Sequence, residues 1–205
     1  MRFVLFCEGW TESGALPAFL GRWLNSQLPQ RIGIKAVRFN GWPELIKDSP
    51  VKANLHLRQS EVIAVIALLD LYGPTIFPVH CATVAQRHDW AKKHLESKVN
   101  HARFHQYFAV HEVEAWILSQ PHLLPPQVQG RLPPSCSSPE TINSNDPPSS
   151  LLERLYSHNL HRSYKKVVYG NDLFDKLDPV VVREKCPYFR QLSDDLVSMA
   201  RKAVR

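Results

Sequence analysis

Closely spaced cysteines, a long apolar run and a phosphate-binding loop are all missing from these 205 residues, and each absence removes a class of protein. The four cysteines, Cys7, Cys81, Cys136 and Cys186, lie far apart, with no CxxC pair and no histidine at zinc-finger spacing. Neither a disulfide framework nor a structural zinc site is expected. The longest apolar run, Val62 to Leu69, falls well short of the roughly 20 residues that cross a bilayer. The N-terminus also lacks the basic start, long apolar middle and small-residue cleavage site of a signal peptide. A cytoplasmic protein with no membrane segment is therefore expected. No GxxxxGK(S/T) loop occurs, so ATP hydrolysis by these residues is not expected, and no internal repeat is visible.

What is present describes a basic globular chain. Hydrophobic residues make up 44%, enough for a sizeable core, and 25 Lys and Arg against 19 Asp and Glu give a formal net charge of +6. A basic balance favours a polyanionic partner, because Lys and Arg gain affinity by releasing phosphate counterions.

Apolar runs that end in acids recur along the chain. Phe3-Val4-Leu5-Phe6-Cys7 stops at Glu8-Gly9, and the spacing of Leu16, Phe19, Leu20, Trp23 and Leu24 predicts a helix capped by Thr11. Ile34 to Phe39 alternates as an edge strand. Asn40-Gly41 turns the chain, Trp42 to Lys47 predicts a short helix, and Ser49-Pro50 predicts the start of another running to about Arg58. Val62 to Leu69 is continuously aliphatic, the pattern of a central strand covered on both faces, and it ends in Asp70 before a Leu71-Tyr72-Gly73-Pro74 loop. Thr83 and Gln86 form a capping box for a helix to about Lys98. The strand candidate Phe104 to Val110 then runs into His111-Glu112-Val113-Glu114 and a short amphipathic helix.

In a parallel sheet, right-handed crossovers bring Glu8, Asp70 and the Glu112/Glu114 pair to one edge, outside the carboxyl ends of the strands, where open α/β sheets bind ligands. The expected organisation is an α/β core over 1–120, an irregular Pro/Ser-rich segment over 121–150 that could serve as a flap, and a helical extension over 151–205 packed on the core. Short helices are expected at Leu151 to Leu155, from Asp178-Pro179, and over Leu192 to Met199 up to the Arg205 terminus.

Clustered carboxylates with no Cys/His zinc pattern suit a hard divalent cation, Mg²⁺ or Mn²⁺, held by Glu8, Asp70 and Glu114. Such an ion serves phosphodiester hydrolysis, with Glu8 also able to act as general base. Glu112 and Glu114, two apart, would face opposite ways on either a strand or a helix, so one of them is expected to face the site. Glu12 reads as a first-turn acid favoured by the helix dipole, and His111 as a buried histidine or a general acid. Tyr164-Lys165-Lys166 is either a phosphate contact, with Lys165 and Lys166 as its basic residues, or a solvated basic run.

Three stretches, Glu8-Gly9-x-Thr11-Glu12, Leu68-Leu69-Asp70-Leu71-Tyr72-Gly73 and His111-Glu112-Val113-Glu114-Ala115-Trp116, resemble the signatures of a prokaryotic Toprim-like family of unknown function. Its distant relatives are the Toprim portions of overcoming-lysogenization-defect nucleases and RloB-type proteins. The likeness continues through Pro139-Glu140-Thr141-Ile142-Asn143, Pro148-Ser149-Ser150, Tyr164-Lys165-Lys166 and Arg183 to Phe189. The resemblance implies a Rossmann-like, mostly parallel sheet flanked by helices. It also implies Mg²⁺-dependent cleavage or joining of nucleic-acid backbones, with Glu8 as the glutamate after the first strand and Asp70 as the first acid of an Asp-x-Asp pair. The sequence departs from that pair at Tyr72. Glu114 resembles the acid of a Phe-Glu-aliphatic-Trp motif in RloB-type proteins and would supply the missing ligand, with Glu112 as the second choice. Such families often accompany AAA- or SMC-type ATPases in antiphage defence, which implies a nuclease acting on DNA or RNA under a partner's control. The alternative is a noncatalytic module that binds an ATPase or nucleic acid.

Overall fold

The computed structural model describes residues 1–142 and 146–204; Asn143 and Arg205 lie outside the described residues. Its centre is a four-stranded sheet of β1 (Arg2–Cys7), β2 (Gly33–Arg38), β3 (Val62–Asp70) and β4 (Phe104–Ala109). The strand order is β2-β1-β3-β4, every pair is parallel, and Asp70 stands opposite Ala109. Helices α1 (Trp10–Ser26), α2 (Trp42–Leu57) and α3 (Val84–Val99) make the crossovers. Because β1 leads outward to β2 on one side and β3 leads to β4 on the other, winding reverses between β1 and β3. That reversal opens the crevice in which α/β sheets bind ligands.

Alternation divides the core between the two faces of the sheet. Phe3, Leu5, Ile66 and Leu68 pack with α1 and the C-terminal helices, whereas Val4, Phe6, Val65, Ala67 and Leu69 pack with α2 and α3. All nine residues of β3 are buried, as its unbroken apolar composition predicts. The edge position expected of β2 is also observed.

The chain after β4 forms α4 (Glu114–Leu118), α5 (Pro126–Gln129), α6 (Pro148–Leu160), α7 (Lys166–Lys176), α8 (Pro179–Lys185) and α9 (Pro187–Ala203). Among the described residues no helix is long and apolar enough to cross a membrane. Trp116 of α4 is fully buried, with ring centroids 6.0 Å from Phe19, 6.2 Å from Phe174 and 4.7 Å from Phe189. That aromatic group joins α1, α4, α7 and α9 into one core.

Three local expectations are corrected. Helix α1 starts at Trp10 with Gly9 as its cap, and Thr11 is buried inside it, donating no cap. The two helices expected around Ser49-Pro50 are one, α2. Its buried residues Leu45, Ser49, Ala53 and Leu57 form an unbroken four-residue stripe, and Ser49 Oγ donates to the Leu45 carbonyl instead of capping a new helix. Tertiary packing of that stripe outweighs the cost of Pro50. Finally, the proline pairs at 125–126 and 133–134 open short helical turns and the pair at 147–148 opens α6, the second proline taking the first helical position, where its missing N–H costs nothing.

Two glycines have opposite roles. A Cβ at Gly170 would lie 2.8 Å from Thr11 Cγ2, so the bare glycine is what lets α7 approach α1. At Gly21, inside α1, a Cβ would meet only Asn25 Nδ2 at 3.8 Å. Gly170→Ala should therefore destabilise the fold by about 1–3 kcal/mol through overpacking, and Gly21→Ala should stabilise it by about 0.5–1 kcal/mol through helix propensity. Thermal melting of both variants checks this, and a Gly170→Ala protein as stable as the parent would contradict the close approach.

Candidate metal centre

The carboxyl ends of β1 and β3, adjacent at the winding reversal, deliver Glu8 and Asp70 to each other. Glu8 Oε1 accepts the Asp70 amide at 3.0 Å, and Asp70 Oδ1 in turn accepts the Val113 amide at 3.0 Å. Residues 110–113 form neither strand nor helix, so the two-residue spacing of Glu112 and Glu114 does not send them apart. One carboxylate oxygen from each of Asp70, Glu112 and Glu114 lies within 4.8 Å of the others. The expected choice between Glu112 and Glu114 thus gives way to both, while Glu8 stands beside this trio and is tied to it through the Asp70 amide.

Each acid has a different environment. Glu112 accepts the Ser149 amide at 2.8 Å and the Ser149 hydroxyl at 2.9 Å, which caps the start of α6. Glu114 is 0% exposed, and its Oε2 has no hydrogen-bond partner among the described residues. Glu12 joins the group from the first turn of α1, where it is buried. Its carboxylate folds back over Gly9, occupying the space that a Cβ there would need. The Glu8-Gly9-x-Thr11-Glu12 stretch is therefore a structural unit, with Gly9 clearing room for Glu12 and Thr11 receiving Gly170.

One cation meets these acids. Lys166, in the first turn of α7, places its ammonium 3.2 Å from Glu114 Oε1, 3.8 Å from Asp70 Oδ2 and 3.9 Å from Glu12 Oε1. Lys165, the cap residue of α7, is exposed, so two lysines read together in sequence occupy different environments. His111 is buried next to Glu112, and burial holds its imidazole below the usual range. Tyr164 is buried with its hydroxyl unpartnered among the described residues, and Tyr72 is 46% exposed at the end of β3.

The electrostatics follow from desolvation. Burial raises Asp70 well above the usual carboxylate range, against the pull of Lys166 and with added repulsion from Glu12, Glu8 and Glu114. Burial likewise raises Glu8, opposed by the Asp70 amide, and pushes Glu114 up to about 7 despite Lys166. For Lys166, burial works against the charged form, but Asp70, Glu114, Glu12 and Glu112 outweigh it and raise the ammonium above its ordinary range.

Sequence reasoning missed the membership of Glu12 and the inward position of Lys166. The signal for Glu12 was its place four residues after Glu8, one turn on, with a glycine between. No local signal marked Lys166, whose partners Glu114, Asp70 and Glu12 lie more than fifty residues away in sequence.

A carboxylate with a raised folded pKa favours the neutral form, so the stability it confers is full below the ordinary carboxylate range and is lost as pH rises through about 7 for Glu114. In chelator, the wild-type melting temperature should fall between pH 5 and pH 8. Glu114→Gln should remove part of that slope, of order 3 kcal/mol, and Lys166→Met should steepen it. Glu140, pushed up to about 7 by burial at the start of α9, contributes with the same sign, so some slope should remain. A Glu114→Gln profile parallel to wild type would contradict this account.

No curated protein matches the sequence. Among solved structures, the chain is similar to the C-terminal region of the Burkholderia pseudomallei OLD protein, with a TM-score of 0.51 and 15% identity over 100% of this chain and 98% of that one. It is also similar to the C-terminal region of the Xanthomonas campestris pv. campestris OLD protein, with a TM-score of 0.45 and 15% identity over 98% and 96%. The first likeness shows the fold, the parallel α/β architecture that the resemblance of the Glu8, Asp70 and Glu114 stretches implied. Residues 7–197 match the family described as Domain of unknown function (DUF4276), and the chain belongs to that family.

Proposed function

We propose that this chain is a metal-dependent nuclease that hydrolyses DNA or RNA phosphodiesters at the edge where β1, β3 and α4 meet. The observation that carries the reading is the oxygen-only donor set of Asp70, Glu112 and Glu114, gathered within 4.8 Å of one another, with Glu114 Oε2 fully buried and without a hydrogen-bond partner among the described residues. A buried carboxylate left so is costly, and coordination to a hard cation such as Mg²⁺ or Mn²⁺ would satisfy it. The residues fit the ion. Asp70, Glu114 and Glu112 would hold it, with Glu8 or Glu12 completing the set.

A bound divalent ion would supply charge neutralisation at a phosphodiester and make water more acidic. The remaining work falls to side chains. Glu8 has one oxygen committed to the Asp70 amide, and burial raises its pKa above the ordinary carboxylate range, the direction that suits a general base. Lys166, 37% exposed on a flexible stem, can exchange its carboxylates for a phosphate oxygen. Exposed Lys165 would meet a flanking phosphate of the same strand.

The finer biological reading is a cytoplasmic effector of prokaryotic antiphage defence controlled by an AAA- or SMC-type ATPase partner. Its support is the resemblance of the Glu8, Asp70 and Glu114 stretches to ATPase-linked families. The 205 residues hold no GxxxxGK(S/T) loop of their own, so the ATPase would be supplied from outside them. A second reading, the noncatalytic module, is favoured by a different observation. Lys166 already neutralises part of the cluster, and Glu112 spends both oxygens on Ser149.

Incubation with Mn²⁺ or Mg²⁺ and a panel of single- and double-stranded DNA and RNA separates the two. Glu8→Ala and Asp70→Asn should each reduce cleavage by at least about a hundredfold without loss of the folded baseline, and Mn²⁺ calorimetry should show weaker binding in Asp70→Asn. Undiminished cleavage by both variants would overturn the nuclease reading, and equal Mn²⁺ heats from wild type and Asp70→Asn would favour the module.

A further inference from the structure

The same sheet edge carries a second concavity, on the opposite face. By strand alternation Asp70 shares the face of Ile66 and Leu68, whereas Leu69 and Leu71 belong to the core under α2 and α3. Leu71 and Tyr72 prolong β3, their amides donating to the carbonyls of Ala109 and His111 at 2.9 Å each. Beside them lies a cavity of about 380 Å³ whose lining includes Leu71, Tyr72, Phe77, Ala82, Arg87 and His111. Leu71 and His111 are the chain neighbours of Asp70 and Glu112. Cavity and acid cluster therefore stand one backbone step apart, about 3.8 Å between Cα atoms.

The lining specifies a shape and a chemistry. The Arg87 guanidinium carbon lies 5.5 Å from the centroid of the Phe77 ring, and its Nε donates to the Cys81 carbonyl at 3.1 Å. The guanidinium is thus held in place while its two terminal nitrogens make no hydrogen bond among the described residues. The His111 ring makes none there either, and the half-exposed Tyr72 stands at the rim. Apolar walls with an aromatic face, a fixed cation and an imidazole suit a flat heterocycle with acceptor atoms on its edge. The volume lies at the small end of the roughly 300–1,000 Å³ range of ligand pockets, with room for a base.

We infer that this cavity is a nucleobase subsite, which takes one unpaired base of a strand whose neighbouring phosphodiester lies at the acid cluster. The inference rests on the nuclease reading for the second half of that placement. It makes a single strand, or a base drawn out of its stack, the ligand, because a base inside a duplex cannot enter a pocket of this kind. Arg87 serves both parts. It faces the base edge and, on a basic chain, adds attraction for the strand.

The test is a fluorescence titration of the full chain in Ca²⁺ with a short single strand carrying 2-aminopurine at one internal position, moved along the strand, with strand integrity checked on a gel. For at least one position the fluorescence should be quenched saturably. Affinity should fall by about tenfold in Phe77→Leu and in Arg87→Gln, and by a similar factor in wild type when that base is replaced by an abasic site. Melting temperature and Mn²⁺ affinity should not change in either variant. Equal affinity across wild type and both variants, or tight binding of every abasic strand, would overturn the subsite while leaving Mn²⁺ binding and cleavage, and hence the nuclease reading, intact. A wild-type protein that neither binds Mn²⁺ nor cleaves any strand would overturn both.

Discussion

Everything at the working edge of this molecule depends on keeping five carboxylates, Glu8, Glu12, Asp70, Glu112 and Glu114, close together with one ammonium among them. Such a gathering is unfavourable, since desolvation and mutual repulsion both oppose ionisation. The fold offsets the cost by turning acids into fasteners. Glu8 holds the end of β3 through the Asp70 amide, Asp70 holds the turn before α4 through the Val113 amide, and Glu112 holds the start of α6 through Ser149. Each bond ties segments far apart in sequence. Glu114, the most buried of the group, is the exception because it holds no backbone amide: its Oε1 meets the Lys166 ammonium and its Oε2 has no partner among the described residues.

The position of Lys166 is in turn a property of how α7 lies on α1. Gly170 gives the close approach over Thr11. At the other end of α7, Arg22 of α1 donates to the carbonyls of Phe174 and Leu177 at 2.7 and 2.9 Å. Those carbonyls close the last turn of α7 and have few partners within the helix. Phe174 then packs edge-on to Phe19 and Trp116. The helix is thus fixed along its length, and Lys166 at its free N-terminal turn is the part with a long side chain and solvent access. A lysine on such a turn can change partners while the backbone stays fixed, because its four-carbon stem is flexible.

How much of this was legible depended on distance along the chain. Glu8 and Asp70 each terminate an apolar run, and Glu114 follows one closely, so local pattern sufficed to find them. The unbroken apolar run Val62 to Leu69 pointed to a parallel sheet covered on both faces, expected as mostly parallel and found parallel at every strand pair. Glu12 was visible as a helix acid, yet its fold-back over Gly9 depends on an approach only coordinates show. Lys166 belongs to a contact that spans the molecule, and a basic pair in sequence gives no sign that one member turns inward. The errors at Pro50 and at the proline pairs have one cause. Proline marks a boundary when local rules dominate, but a packed stripe carries α2 through it, and at the first helical position it begins a helix instead of ending one.

Tyr72 connects the two halves of the edge. As a departure from an Asp-x-Asp pair it leaves β3 with a single acid, and Glu112 and Glu114 from the junction between β4 and α4 make up the number. Moving the acids to that junction has a geometric consequence. All of the donor oxygens then lie on the α1 and α7 side of the sheet, while the chain after Asp70 is free to line the other side with Leu71, Tyr72 and Phe77. A phosphodiester strand is itself two-sided, with anionic oxygens on one flank and flat apolar bases on the other. An edge that is acidic on one face, and aromatic and apolar on the next, has the matching asymmetry.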